Sequence, residues 1–154
     1  MKNSKLFSIK NSPNSRLYLW LVIVFILIAV IGFTDATYLT VKYYTGGSIP
    51  CSILNGCDKV TTSRYADITG VPVSLLGAIY YLVIAVSGLL YLDSKNYRSL
   101  GIGARLTAAG FLFSIWLVSA QVFILDALCL YCLISAATST LLFALGIYII
   151  KKYG

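Results

Sequence analysis

LYLWLVIVFILIAVIGF, Leu17 to Phe33, runs for seventeen positions without a charged residue. As a helix, about 20 apolar residues reach across about 30 Å of hydrocarbon, and lipid is the solvent such a segment prefers. The apolar character continues, less densely, to Tyr44, so the first span is placed at 17–44. Three further runs follow at 71–92, 106–125 and 127–150. The first is longer than a crossing requires and is expected to tilt or protrude. Its basic leader (Lys2, Lys5, Lys10, Arg16) resembles the n-region of a signal peptide, but the run exceeds a usual h-region and no A-x-A-like site follows. The expected fold is an all-α integral membrane protein, a single domain over 1–154 forming a four-transmembrane-helix bundle.

Orientation follows from the twelve Lys and Arg. Nine lie in the N-terminal segment, the link between spans two and three (Lys95, Arg98, Arg105) and the tail (Lys151, Lys152), and only Lys42, Lys59 and Arg64 lie on the other side. Positive charge is retained on the cytoplasmic face, so both termini are expected there. The polar loop 45–70, with a short interfacial helix near Lys59–Tyr65, and the tight link at Asp126 then face outward. A prokaryotic plasma membrane is the expected location.

Composition narrows the chemistry. Of 154 residues, 59% are hydrophobic and 11% charged, against about 25% charged in a soluble domain. Histidine and glutamate are absent, which removes Ser-His and Cys-His pairs, histidine-ligated haem and His-containing zinc sites. The net charge of +7 comes without a basic patch interleaved with aromatics, so it argues for membrane topology rather than nucleic acid.

Four cysteines remain: Cys51 and Cys57 in the outward loop, Cys129 and Cys132 in C-L-Y-C at the outward start of the fourth span. Both pairs fall on the side where disulfides persist. Residues three apart share a helix face, so Cys129 and Cys132 can close a compact, reducible disulfide. Asp126 is expected as N-cap, which puts Cys129 in the first turn, where free N–H groups and the helix dipole favour a thiolate and the Asp126 carboxylate works partly against it. Two purely structural disulfides are the bland alternative. A four-cysteine zinc site lacks its ribbon turn, and c-type haem would need histidine where Leu133 stands. Redox exchange is the leading reading.

The chain also resembles a known family. T-Y-L-T-V-K (37–42), Cys51, G-C-D-K-V-T-T-S-R-Y-A (56–66), G-V-P-V-S-L-L-G (70–77) and C-L-Y-C together resemble the vitamin K epoxide reductase family, closest to its prokaryotic branch. The likeness runs from the first span to the fourth. It implies a bundle enclosing a quinone of menaquinone, ubiquinone or vitamin K type, the electron acceptor, near the outward surface. It also implies an electron path: Cys51 exchanges with a thioredoxin-like or DsbA-like partner, Cys57 passes the electrons to Cys129, and Cys132 delivers them to the quinone. Ser63 matches the serine that the family places near the quinone. Many prokaryotic members carry a fused thioredoxin-like domain; with Gly154 as the last residue here, a separate partner is expected. Val73 and Ala136 stand where vertebrate members have an asparagine and a tyrosine, so the expected acceptor is an ordinary quinone rather than vitamin K epoxide.

The function expected is a membrane thiol:quinone oxidoreductase that supports disulfide formation; the alternative is a membrane protein merely stapled by its cysteines. Donors to a quinone carbonyl are sought in Ser63, Tyr80, Tyr81 and Tyr131, although tyrosines in membrane helices commonly serve as packing or interfacial anchors. Asp35 is either a functional intramembrane carboxyl or part of a hydrated helix end with Thr34, Thr37 and Thr40. Ser114, Ser119, Gln121, Ser135 and Thr138 are expected to join helices by hydrogen bonds.

Overall fold

The computed structural model describes residues 15–49 and 56–153. The basic leader up to Lys10, Cys51 and the expectations attached to them lie outside the described residues. Among these residues the order is α1 (Ser15–Thr45), α2 (Cys57–Thr61), β1 (Asp67–Ile68), β2 (Val71–Pro72), α3 (Val73–Ser94), α4 (Tyr97–Phe123) and α5 (Leu130–Tyr153). Four of these helices, α1, α3, α4 and α5, are long and apolar enough to cross a membrane. α1 has 31 residues, about 46 Å at 1.5 Å per residue, which exceeds a bilayer core and requires tilt or protrusion.

The long helices close a ring in which α1 packs against α3 and α5, and α4 packs against the same two. Lipid gives helices no hydrophobic reason to associate, so close backbone approach and polar contacts must do so. A side chain at Gly88 of α3 would put its first carbon 2.6 Å from Ile26 Cγ1 on α1. One at Gly146 of α5 would meet Thr107 Oγ1 at 2.7 Å and the Ala104 carbonyl oxygen at 2.9 Å, both on α4. Tyr81, which is fully buried, lies over Gly32. Its hydroxyl donates to the Ser135 carbonyl at 2.7 Å and sits 2.9 Å from Thr138 Oγ1, pinning α3 to α5. Thr40 Oγ1 reaches Ser74 Oγ at 3.0 Å and ties α1 to α3 near the loop.

Every span bound differs from the hydropathy reading by one to three residues, except the start of α4, which moves by nine. α4 starts at Tyr97, not 106, because Asn96 caps it by accepting the Arg98 N–H at 3.1 Å. Its first turns are too polar for a hydropathy window, yet Leu100, Gly101, Gly103 and Ala104 are buried there. α5 starts at Leu130, not 127. Asp126 takes φ +44° as a left-handed turn residue and does not cap the helix; aspartate is one of the few residues that tolerates that conformation. The loop helix, expected near Lys59–Tyr65, forms earlier, at Cys57–Thr61, and residues 62–66 are turns and bends. The loop then closes through an unforeseen hairpin, β1 antiparallel to β2, whose turn residues Thr69 and Gly70 both have positive φ (56° and 88°), as a two-residue type I′ turn demands.

Gly146→Leu should lower the thermal midpoint of the detergent-solubilised protein, because overpacking a tight seam costs about 1–3 kcal/mol. An unchanged midpoint would mean that α4 and α5 are not in backbone contact there.

Candidate active site

The loop is fastened from two sides. The Asp58 carboxylate accepts the Ile49 N–H at 3.0 Å and joins the chain leaving α1 to α2. Gly56 lies directly on the α4–α5 link: a first side-chain carbon there would sit 2.7 Å from the Leu128 carbonyl oxygen and 2.8 Å from the Leu128 nitrogen. Only glycine permits that approach. The next residue, Cys57, is disulfide-bonded and 1% exposed. It shares one apolar cluster with Leu39, Ile49, Val60 and Cys129, and Cys132 packs against that cluster.

Cys129 and Cys132 are free thiols. Cys129, with no exposed surface, is the residue preceding α5, and its carbonyl accepts the Leu133 N–H at 3.1 Å as the first bond of the helix. It therefore occupies the N-cap itself. The Cys132 thiol donates to its sulfur, as do the main-chain N–H groups of Tyr131 and Cys132. The Cys132 hydrogen bond is the main cause that lowers the Cys129 pKa; burial and the negative field of Asp35 work against it without reversing the direction. Hydrogen bonds to the charged form favour that form.

Beside the pair lies a cavity of about 420 Å³. Cys132 is on its wall, with Leu39, Val60, Pro72, Phe113 and Leu117 among its apolar lining. Ser63, Tyr80, Tyr81, Ser114, Gln121, Ser135 and Ser139 supply polar groups. Tyr80 and Ser139 are close neighbours across the α3–α5 seam, yet neither hydroxyl has a hydrogen bond of good geometry. The Tyr80 hydroxyl fits in the space left by Gly110, where any side chain would overlap it. The walls suit a mostly apolar molecule that carries a few polar atoms.

The structure thus brings together Cys57, Cys129, Cys132, Ser63, Tyr80 and Tyr81. Ser63 gives its proton to the Val60 carbonyl at 2.7 Å, so it faces a ligand as an acceptor. Tyr131 is not on the cavity wall: its ring packs on Tyr38, with centroids 5.2 Å apart. An i, i+2 offset from Cys129 turns it to a different face of α5. Val73 and Ala136 do line the cavity and leave it apolar at those points. Ser135 and Thr138 join helices as expected, whereas Ser119 only bonds its own helix through the Ile115 carbonyl. One carboxylate oxygen of Asp35 is buried. Sequence reasoning missed Ser139, Gly110 and Gly56, each defined by a contact distant in sequence.

The chain belongs to the vitamin K epoxide reductase family, whose family model matches residues 23–147. It is similar to the thiol-disulfide oxidoreductase LTO1 of Arabidopsis thaliana, with 31% identity over 128 residues, covering 76% of this chain and 33% of that protein. The chain therefore spans about a third of the length of this relative.

Gly56→Ala should lift the loop from the α4–α5 link and cut the yield of a disulfide between Cys57 and Cys129 about tenfold, as an overpacking cost of this order implies. Mass spectrometry of unreduced digests measures the yield, and an unaltered yield would contradict the contact. Cys129 alkylation, followed against pH, should have its midpoint below the ordinary cysteine range and move upward in Cys132→Ala, which removes the donor. A midpoint unmoved by that change would assign the shift to the main-chain donors alone.

Proposed function

We propose that this protein is a membrane thiol:quinone oxidoreductase that oxidises a thioredoxin-like partner and thereby supports disulfide formation outside the cytoplasm. The observation that carries the reading is the line of sulfurs: disulfide-bonded Cys57 and free Cys129 share one buried cluster, and free Cys132 borders the cavity. Family membership and the similarity to a thiol-disulfide oxidoreductase support it.

The cycle balances in three exchanges. The partner's dithiol reduces the Cys51–Cys57 disulfide and becomes a disulfide itself. The Cys57 thiolate attacks Cys129 of an oxidised Cys129–Cys132 pair, forming a mixed disulfide and releasing Cys132. Cys51 then attacks Cys57 and releases Cys129, for which the lowered pKa makes a better leaving group. The state described here, with Cys57 bonded and the helix pair free, follows that last exchange. A quinone supplies the two-electron, two-proton sink that allows Cys129 and Cys132 to close again. Within the cavity, Cys132 is the sulfur in reach, and the Tyr80 and Ser139 hydroxyls offer hydrogen bonds to carbonyl oxygens. The cysteines face outward and the termini inward, as the distribution of Lys and Arg favours, in a membrane that we place as a prokaryotic plasma membrane.

Purified protein supplied with dithiothreitol and a soluble quinone should turn over, and Cys132→Ser should lose turnover with its fold and the Cys57 disulfide intact. Full turnover in that variant would remove Cys132 from the path. Absence of turnover in the unaltered protein with several quinones would favour the stapling role.

A further inference from the structure

α4 ends in a buried amide. Gln121 is 3% exposed, and its side-chain oxygen accepts the main-chain N–H of Cys129 at 3.0 Å. Its own carbonyl accepts the Ala127 N–H at 3.2 Å, while the Ala120 carbonyl takes the N–H groups of Ile124 and Leu125 at 3.1 and 3.0 Å. The whole α4–α5 link is thus folded back on the last turn of α4, and Gln121 holds both its middle and its end. The N–H of an N-cap residue has no partner within its own helix, so in this dry cluster an outside acceptor is required. Gln121 also forms part of the cavity wall. One side chain therefore touches the N-cap cysteine on one side and the ligand space on the other.

We propose that Gln121 is the positioning residue of the thiol pair, fixing the Cys129 main chain so that its sulfur stands between the loop cysteine and Cys132. The inference rests on the thiol-exchange reading above for its consequence in turnover, but its geometric part stands independently. With the N–H held, the Cys129 main chain keeps the cap conformation in which its sulfur meets the Tyr131 and Cys132 amides. Without it, the link is free to swing and the sulfur loses those donors. Gln121 takes no part in electron transfer; it acts through Cys129.

The test uses the full chain in detergent with two variants. Gln121→Leu keeps the shape and removes the acceptor; Gln121→Glu keeps an oxygen at the same reach. In Gln121→Leu, hydrogen exchange at the Cys129 amide should accelerate about tenfold, the loss expected of one buried hydrogen bond. The pH midpoint of Cys129 alkylation should rise, and kcat with dithiothreitol and quinone should fall about tenfold, with the quinone KM changed less than about twofold. Gln121→Glu should keep the amide protected. Unaltered protection and alkylation profile in Gln121→Leu would overturn the proposal, as would equal loss of protection in both variants, which marks general packing. If the unaltered protein reduces no quinone, the thiol-exchange reading fails, while the exchange and alkylation results still decide the role of Gln121.

Discussion

Three hydrogen-bond donors converge on the sulfur of Cys129, and most of the molecule can be understood from what that requires. A thiol at an N-cap gains from the main-chain N–H groups of the first turn, here those of Tyr131 and Cys132, and additionally from the Cys132 thiol. Those donors exist only where a helix begins, so the pair has to sit at the end of a membrane helix rather than within one. The same position leaves the Cys129 N–H without a helical partner, and Gln121 supplies one from the neighbouring helix. A cysteine in this role must also be reached by another sulfur. The absence of a side chain at Gly56 lets the loop rest on Leu128 and brings Cys57 into the same cluster.

The bundle supplies a rigid frame for this arrangement with little hydrophobic driving force. Glycines at 32, 88 and 146 let the helices approach, and Tyr81 satisfies its hydroxyl on α5 one turn below the cysteines. Tight packing through the lower bundle contrasts with the space left beneath the loop. There α3 and α4 are separated by the Tyr80 ring resting on Gly110, and the cavity opens between them and the cap formed by α2 and the hairpin. The cavity is a consequence of where large and small residues alternate along the seams.

Much of this is legible in the sequence, for physical reasons. Span number follows from hydropathy because lipid imposes a length on apolar runs. Four crossings fix the parity of every loop, so Cys57 and the C-L-Y-C pair come out at one end of the bundle, and Cys57, Cys129 and Cys132 are indeed neighbours in space. Helix ends are less readable. Nothing in the run from 97 to 105 is apolar enough to announce a membrane helix, and the cap at Asn96 acts through one hydrogen bond. The N-cap of α5 is misjudged at Asp126 for a similar reason: residue type favours aspartate, but the folding of the link onto Ala120 and Gln121 decides where the helix starts. Contacts such as Gly56 on Leu128, or Ser139 beside Tyr80, carry no local signal at all.

The departures at Val73 and Ala136 acquire a physical meaning once the cavity is seen. Both positions are on its wall and both are apolar, so no side-chain donor is available there to fix a carbonyl oxygen. The donors that do exist lie elsewhere: Ser63 is committed to the Val60 carbonyl, and Tyr81 is committed to α5. Tyr80 and Ser139 lie side by side at the α3–α5 seam, and Ser114 and Gln121 add further polar groups to the wall. On the quinone reading proposed above, a carbonyl-bearing ring would find its polar partners among these groups, while Val73 and Ala136 offer it only apolar surface.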